Sequence, residues 1–441
     1  MAGWGGRGAA SAEAPSGARR FAALRNRNFA LLWGGSVVSN AGSWMQIVAQ
    51  GWLVYLLTGS PLTLGVVGLA RAVPMIVLPL FGGTLADRVP RLKLLKVTQT
   101  VSFLLALALA ALVAADVVEV WHIVLFGVLS GAVHAFDQPT RQALLPDIVR
   151  REELTSAIAM NSAAWQGSAM VGPALAGVTI AAFGIAAAFF INAFSYLAVI
   201  VALFLMRGVP ERTQRSGKSG MLEDLVRGLR YVGATRLVLT LILLSAVANI
   251  FGRSYQQLLP VFAGDLLDTD SVGLGFMTSA PGVGTVLAAV GLAALGDVGR
   301  KGVVLFVSML AFSAILIAFT MNRSMPVALA LLFAAGITNF AFSTMTMTML
   351  QLYVPGEVRG RVLSLVTITA QGFTPLGAFA TGGVAERIGT PEAVGISALV
   401  VGVAAVGAAI GVPSVRRFVG APLERVAQAA APPPATRGSQ T

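Results

Sequence analysis

Apolar runs long enough to cross a bilayer as helices, about 20 residues each, recur along almost the whole chain. Twelve can be read, near 29–57, 61–86, 92–115, 118–138, 154–182, 185–206, 236–263, 271–296, 301–320, 325–352, 360–387 and 391–412. Several exceed the bilayer length, which predicts tilt or ends that protrude beyond the hydrocarbon. The pattern predicts an all-α polytopic membrane protein with 12 transmembrane helices. The longest polar interruption, 207–235, separates six spans in 29–206 from six in 236–417. Within it, Gly220 to Tyr231 reads as an amphipathic helix with Met221, Leu222, Leu225 and Leu229 on one side. Residues 1–28 hold no apolar run and are not read as a cleavable signal peptide. Residues 418–441 include Pro432-Pro433-Pro434 and read as a disordered tail.

Composition changes the picture in one direction. At 56% hydrophobic and 11% charged, the 441 residues cannot cover a water-soluble surface. Cysteine is absent, which excludes disulfides, thiolate metal sites and Cys nucleophiles. The net charge of +12 raises the question of nucleic acid, but the bases sit in short loops rather than on one face. With both termini cytoplasmic, 27 of the 31 Lys and Arg fall on the inner side, so the charge is a topology signal. Arg323 and Arg387 fall outside, while Arg71 and Arg253 fall within spans. No Gly-x-x-x-x-Gly-Lys-Ser/Thr loop occurs, so the chain does not drive its own work by ATP hydrolysis. Nothing in the sequence reads as an enzyme centre or as a cofactor or metal site, and no nucleic-acid partner is expected.

The turn between spans two and three reads Phe81-Gly82-Gly83-Thr84-Leu85-Ala86-Asp87-Arg88-Val89-Pro90-Arg91-Leu92-Lys93. It resembles the loop motif of the major facilitator superfamily, Gly-x-Leu-Ala-Asp-Arg-x-Gly-Arg-Lys. Gly83, Leu85, Ala86, Asp87, Arg88 and Arg91 match, and Pro90 and Leu92 depart from it. A weaker copy, Gly296-Asp297-Val298-Gly299-Arg300-Lys301, lies between spans eight and nine. Pro146-Asp147-Ile148-Val149-Arg150 after span four is echoed by Pro355-Gly356-Glu357-Val358-Arg359 after span ten. Such parallel repeats are the architecture of facilitator carriers. The resemblance implies two pseudo-symmetric six-helix bundles, both termini cytoplasmic, in a bacterial inner membrane. It implies a gate formed by Gly83, Asp87, Arg88, Arg91, Asp297 and Arg300, with Asp137, read as ending span four, paired to Arg91.

Two further stretches, Arg25-Asn26-Arg27-Asn28-Phe29 and Asp137-Gln138-Pro139-Thr140-Arg141-Gln142-Ala143, resemble the secretion-carrier branch that contains the enterobactin exporter. Span five carries Ser168-Ala169-Met170-Val171-Gly172-Pro173-Ala174-Leu175-Ala176-Gly177. Gly172, Pro173 and Gly177 match an exporter-type motif, which the resemblance assigns to the inner gate.

The resemblance also implies that spans one, four, seven and ten line a central cavity. Helical periodicity puts polar residues on single faces of them: Asn40, Ser43 and Gln46 with Gln50; His134 with Ser130; Asn249, Arg253 and Gln256; Asn339 and Ser343. Polar side chains avoid lipid, so these faces line a wet cavity or bond one another. Arg71 and Arg253 are the sharpest, because a charge at mid-span costs about 2.5–3.5 kcal/mol on insertion scales. Spans one and seven hold no carboxylate, and span two none before Asp87. That favours an anionic or siderophore-like small molecule, which arginine grips with its planar fork. Pairing of either arginine with backbone carbonyls, with Asp137 or with an acid on the outer side is the alternative. His134 titrates near neutrality in water; a hydrogen-bonded structural role is the alternative. The expected function is secondary export by alternating access in the lipid bilayer, with protons as the partner ion that the resemblance implies. A multidrug efflux pump, an importer on the same fold, and a non-transporting sensor or scaffold remain open.

Overall fold

The computed structural model describes residues 22–86, 89–209, 221–296 and 298–418. Thirteen helices of ten residues or more succeed one another, and the described residues hold no strand. They are α1 (Arg27–Thr58), α2 (Pro61–Ala86), α3 (Arg91–Ala114), α4 (Val120–Ile148), α5 (Leu154–Phe183) and α6 (Ile185–Leu205). After the linker helix α7 (Met221–Ala234) come α8 (Arg236–Leu266), α9 (Ser271–Leu295), α10 (Lys301–Met321), α11 (Met325–Tyr353), α12 (Gly356–Ile388) and α13 (Thr390–Gly411). Among the described residues, 11 helices are long and apolar enough to cross a membrane. The other long helix, α1, carries the Ser, Asn and Gln face.

Local chemistry sets the ends. Asn26 caps α1 by accepting from the amides of Asn28 and Phe29, and Asp270 caps α9 in the same way. Matching turns join the last two helices of each set of six, at Gly184 (φ 82°) and Gly389 (φ 99°). Only glycine enters that region without strain. Large apolar side chains such as Phe204, Leu295 and Ile410 point outward, which a bilayer accommodates and water does not.

Three elements differ from expectation. Helix α4 does not stop near 138 but continues through Pro139 and Pro146 to Ile148. Apolar length measures hydrocarbon thickness, not helix length. The polar end of α4 is held by partners on α1 and α3, as described below. Helix α8 is not a continuous α-helix: π-turns occupy Ala248–Gly252 and Phe262–Leu266, and Arg253 and Ser254 lie between the first π-turn and the next α segment. In α7, Val232 is buried and Leu229 is exposed. The inner face therefore runs through Gly228, which packs beside Arg361 and Leu365 of α12.

The first six long helices meet the last six along two seams, α5 against α9 and α2 against α12. Glycines make the approach close. A Cβ added at Gly177 would sit 2.5 Å from the Ser271 carbonyl, and one at Gly382 would sit 2.5 Å from the Pro61 carbonyl. Both positions lie at the end of the bundle away from the termini, called the far end below. Among the described residues, four hydrogen bonds join the halves there. Tyr55 donates to Asp265 (2.6 Å), and Ser271 donates to the Gly177 carbonyl (3.2 Å). Ser60 Oγ and the Leu62 amide both donate to Glu386 (2.9 and 3.4 Å). The bonds Asn28–Arg207, Trp33–Met160 and Arg91–Asp147, toward the terminal end, each stay within the first half. The far end is thus clasped.

Candidate substrate cavity and gates

A cavity of ≈ 80 Å³ lies between the halves just inside the clasp. Helix α1 contributes Ile47, Val48, Gln50 and Gly51, and α2 contributes Gly68 and Arg71. Across from them, α8 contributes Gln256, Gln257 and Pro260, and α9 contributes Thr278. Among the described residues, no carboxylate lines it. Arg71 lies about 15 Å from the far end of α2, counted along the helix. Its neighbour across the first half is Tyr196 of α6.

Arg253 follows the first π-turn of α8, about 20 Å from the far end. Its Nε is buried without a hydrogen-bond partner among the described residues. A π-turn widens the helix and marks functional sites often. Here it sets the direction of the guanidinium and of Gln256 and Gln257 beyond it. Gln257 reaches across to α2, where a Cβ at Gly68 would meet its Nε2 at 2.7 Å.

The other expected cavity residues scatter. Gln46 bonds Asn192 of α6 and lines a separate small pocket inside the first half with Ser102, Ser130 and Tyr196. Ser43 donates to the Ser39 carbonyl and Asn249 to the Ser245 carbonyl, both within their own helices. Asn40 and Asn339 are half-buried and Ser343 is exposed. His134 faces Arg71, Asp137 and Arg141, and its Nδ1 is buried without a partner among the described residues. Gln257 was missed from sequence, although it sits one helical turn after Arg253 and the periodicity carried that signal.

The expected pairing of Asp137 with Arg91 does not form. Arg91 instead bonds Asp147 (2.6 Å) and the Ala143 carbonyl (2.8 Å). Asp137 lies ten residues before Asp147 on one helix, about 15 Å deeper, beyond the reach of a side chain that starts α3 at its first residue. Asp137 accepts from Thr98 (2.7 Å), Gln99 (2.8 Å) and Arg141 (3.3 Å). Arg141 also donates to Ser36 of α1 (2.6 Å). This buried cluster ties α1, α3 and α4 together. Arg141→Ala is expected to destabilise the fold by about 3 kcal/mol, because it leaves Asp137 buried without its counter-charge. Thermal unfolding in detergent measures this, and the Asp137→Asn/Arg141→Gln pair should recover most of the loss.

Of the gate residues, Asp87, Arg88 and Asp297 lie outside the described residues, Gly83 ends within α2, and Arg300 is exposed. The span-five motif divides between two contacts. Gly172 packs on Ala41 and Trp44 of α1, and the Pro173 carbonyl lies beside Gly275 of α9. Gly177 belongs to the far-end seam, at the opposite end from the loop with which it was grouped.

A membrane-embedded bundle of this architecture, with a cationic cavity between its halves, defines a major facilitator transporter. Solved structures with the same fold include a bacterial homologue of the iron transporter ferroportin (TM-score 0.66, 18% identity, 86% of this chain and 97% of that chain). A bacterial homologue of the lysosomal transporter Spinster is similar too (TM-score 0.63, 15% identity, 91% and 97%). The family described as transmembrane secretion effector matches residues 18–431, and the chain belongs to that family. Among curated relatives, the multidrug efflux pump Tap of Mycolicibacterium fortuitum is 25% identical over 84% of this chain and 93% of its own. The staphyloferrin A transporter of Staphylococcus aureus is 26% identical over 76% and 84%. The protein is a multi-pass plasma membrane transporter of a small molecule, not an enzyme.

Proposed function

We propose that the protein exports a small anion from the cytoplasm by alternating access, with both termini cytoplasmic and the far end facing outside. Residues 29–206 and 236–417 act as the two rocking bundles, 207–235 links them, and 418–441 trails as a tail. The observation that carries the anion is the cavity itself, which has Arg71 in its wall and no carboxylate among its described lining residues; Arg253 lies on α8 three residues before the lining Gln256, its Nε without a partner among the described residues. Two guanidiniums without counter-charges raise the local potential and suit carboxylate or similar oxyanion groups. The basic residues near the termini support the orientation, and the efflux named for Tap supports the direction.

Gating follows from the two ends. Outside, Tyr55–Asp265, Ser60–Glu386 and the Gly177 and Gly382 seams hold the clasp. Inside, Arg91–Asp147 fixes α3 to α4, and Asp87, Arg88, Asp297 and Arg300 are the further gate residues that the sequence motif assigns. Export is coupled to proton entry. The group that supports this is His134, whose Nδ1 is buried without a partner among the described residues, about one turn from Asp137, which Arg141 holds.

The test is efflux from intact cells, with anionic metabolites including siderophores set against cationic drugs. Anions should leave and an inward pH gradient should speed them. Arg71→Gln should slow anions at least fivefold. Preferred efflux of cations, unaffected by Arg71, would sink the anion reading in favour of a multidrug pump, the second reading that the likeness to Tap favours. Net uptake would make it an importer. Binding without turnover would make it a sensor.

A further inference from the structure

We propose that α1 and α5 hold an aromatic subsite, Trp44 with Trp165, and that the transported molecule carries a planar aromatic ring. This rests on the reading that the substrate is an anion held by Arg71 and Arg253.

Trp44 lies on the cavity face of α1. Ile47, Val48 and Gly51, at i+3, i+4 and i+7 from it, all line the cavity. Trp165 is placed by the contacts of α5. That helix faces α1 through Ser168 and Gly172, and faces α9 through Ala169, Met170, Pro173 and Gly177. At about 100° per residue, Trp165 points between those two directions, roughly 40° from the first and 95° from the second. It therefore faces the space enclosed by α1, α5 and α9, not lipid. There it stands 38% exposed, with Ser162 and Gln166 exposed nearby on the same helix. Its ring centroid is 5.7 Å from that of Trp44, tilted by 55°.

The second observation is the Trp44 indole. Its Nε1 is buried and has no hydrogen-bond partner among the described residues. Two other indoles are bonded: Trp33 donates to the Met160 carbonyl (2.9 Å) and the exposed Trp121 to Glu119 (2.8 Å). A donor left open beside an exposed ring is an arrangement that a ligand with an acceptor atom completes.

Depth joins this pair to the arginines. Trp44 lies about 21 Å from the far end of α1, against about 15 Å for Arg71 and about 20 Å for Arg253. The tryptophans and the two arginines therefore lie at similar depth, so one molecule lying across the bundle can meet both. Tryptophan faces also attract cations, but two neighbouring arginines repel them. The class left is the planar aromatic acid.

The test uses 2-naphthoate and its saturated counterpart, decahydro-2-naphthoate, which share charge and size. Binding to the full chain in nanodiscs is measured by calorimetry. The aromatic acid should bind about three- to tenfold more tightly. Trp165→Leu should remove that advantage and leave the saturated acid unchanged, whereas Trp165→Phe should keep most of it. Trp44→Phe, which keeps a ring but removes the donor, should weaken 2-naphthoate two- to fivefold. Equal affinity for the two acids overturns the subsite, and so does an equal loss of both in Trp165→Leu at unchanged melting temperature. If both acids bind equally and both are weakened by Arg253→Gln, the subsite is wrong and the anion reading stands. If both fail while 2-naphthylmethylammonium binds through Trp165, the anion reading is wrong and the aromatic wall stands.

Discussion

Gly177→Ala combined with Gly382→Ala is expected to leave the far end unable to close and to cut transport at least tenfold. Each added methyl would lie 2.5 Å from a backbone carbonyl of the opposite half, that of Ser271 or Pro61. A backbone cannot step aside as a flexible side chain can, so the halves must part. Overpacking costs about 1–3 kcal/mol per site, and every 1.4 kcal/mol is about tenfold in an equilibrium between conformers. Packing inside each half is untouched, so the protein should still fold. The chain has no cysteine. Ser60→Cys alone therefore gives a clean reporter for a membrane-impermeant maleimide. Labelling should be slow in the parent and at least tenfold faster in the double variant. Equal labelling rates with full transport would show that the seams do not set the gate.

Arg253→Gln is expected to weaken an anionic substrate by about ten- to a hundredfold, the range for one lost hydrogen bond to a charged group. Arg253→Lys should recover part of this, because it restores the charge but not the fork. Stability should move the other way. The Arg253 Nε is buried without a partner among the described residues, so it costs the apo fold desolvation that no hydrogen bond there offsets. The glutamine variant should melt no lower than the parent, and binding of the anion should raise the parent's melting temperature more than the variant's. Unchanged efflux with a lower melting temperature would make Arg253 a structural residue.

Much was legible along the chain because the bilayer imposes one-dimensional rules. Apolar length marks long membrane-crossing helices, and the bias of basic residues is the basis of the proposed orientation. The loop Gly83–Arg91, the repeat at Pro146 and Pro355, and the Gly172-Pro173 run identify the superfamily before any coordinate is seen. The depth of Arg71 and Arg253 was equally visible, since a charge in the middle of an apolar run needs only counting.

What the sequence could not determine was which side chain meets which. Asp137 and Asp147 sit on one helix, and only the extension of α4 through two prolines shows that Arg91 reaches the second and not the first. Gln46 and Gln50 share a stripe at i and i+4, yet the first turns to Asn192 within its own half and the second to the cavity. The π-turn before Arg253 shifts the phase of everything after it, and a strict 3.6-residue period does not report it. The clasp of Tyr55 with Asp265 joins residues 210 positions apart. Sequence alone showed that apolar spans recur along the chain, that they resemble a facilitator and that positive charges lie deep in two of them, because each depends on position along one helix. Tertiary structure alone decided the pairs, the seams and the cavity wall, because each depends on how two helices are rotated about their own axes, and lipid and protein neighbours look equally apolar in a sequence.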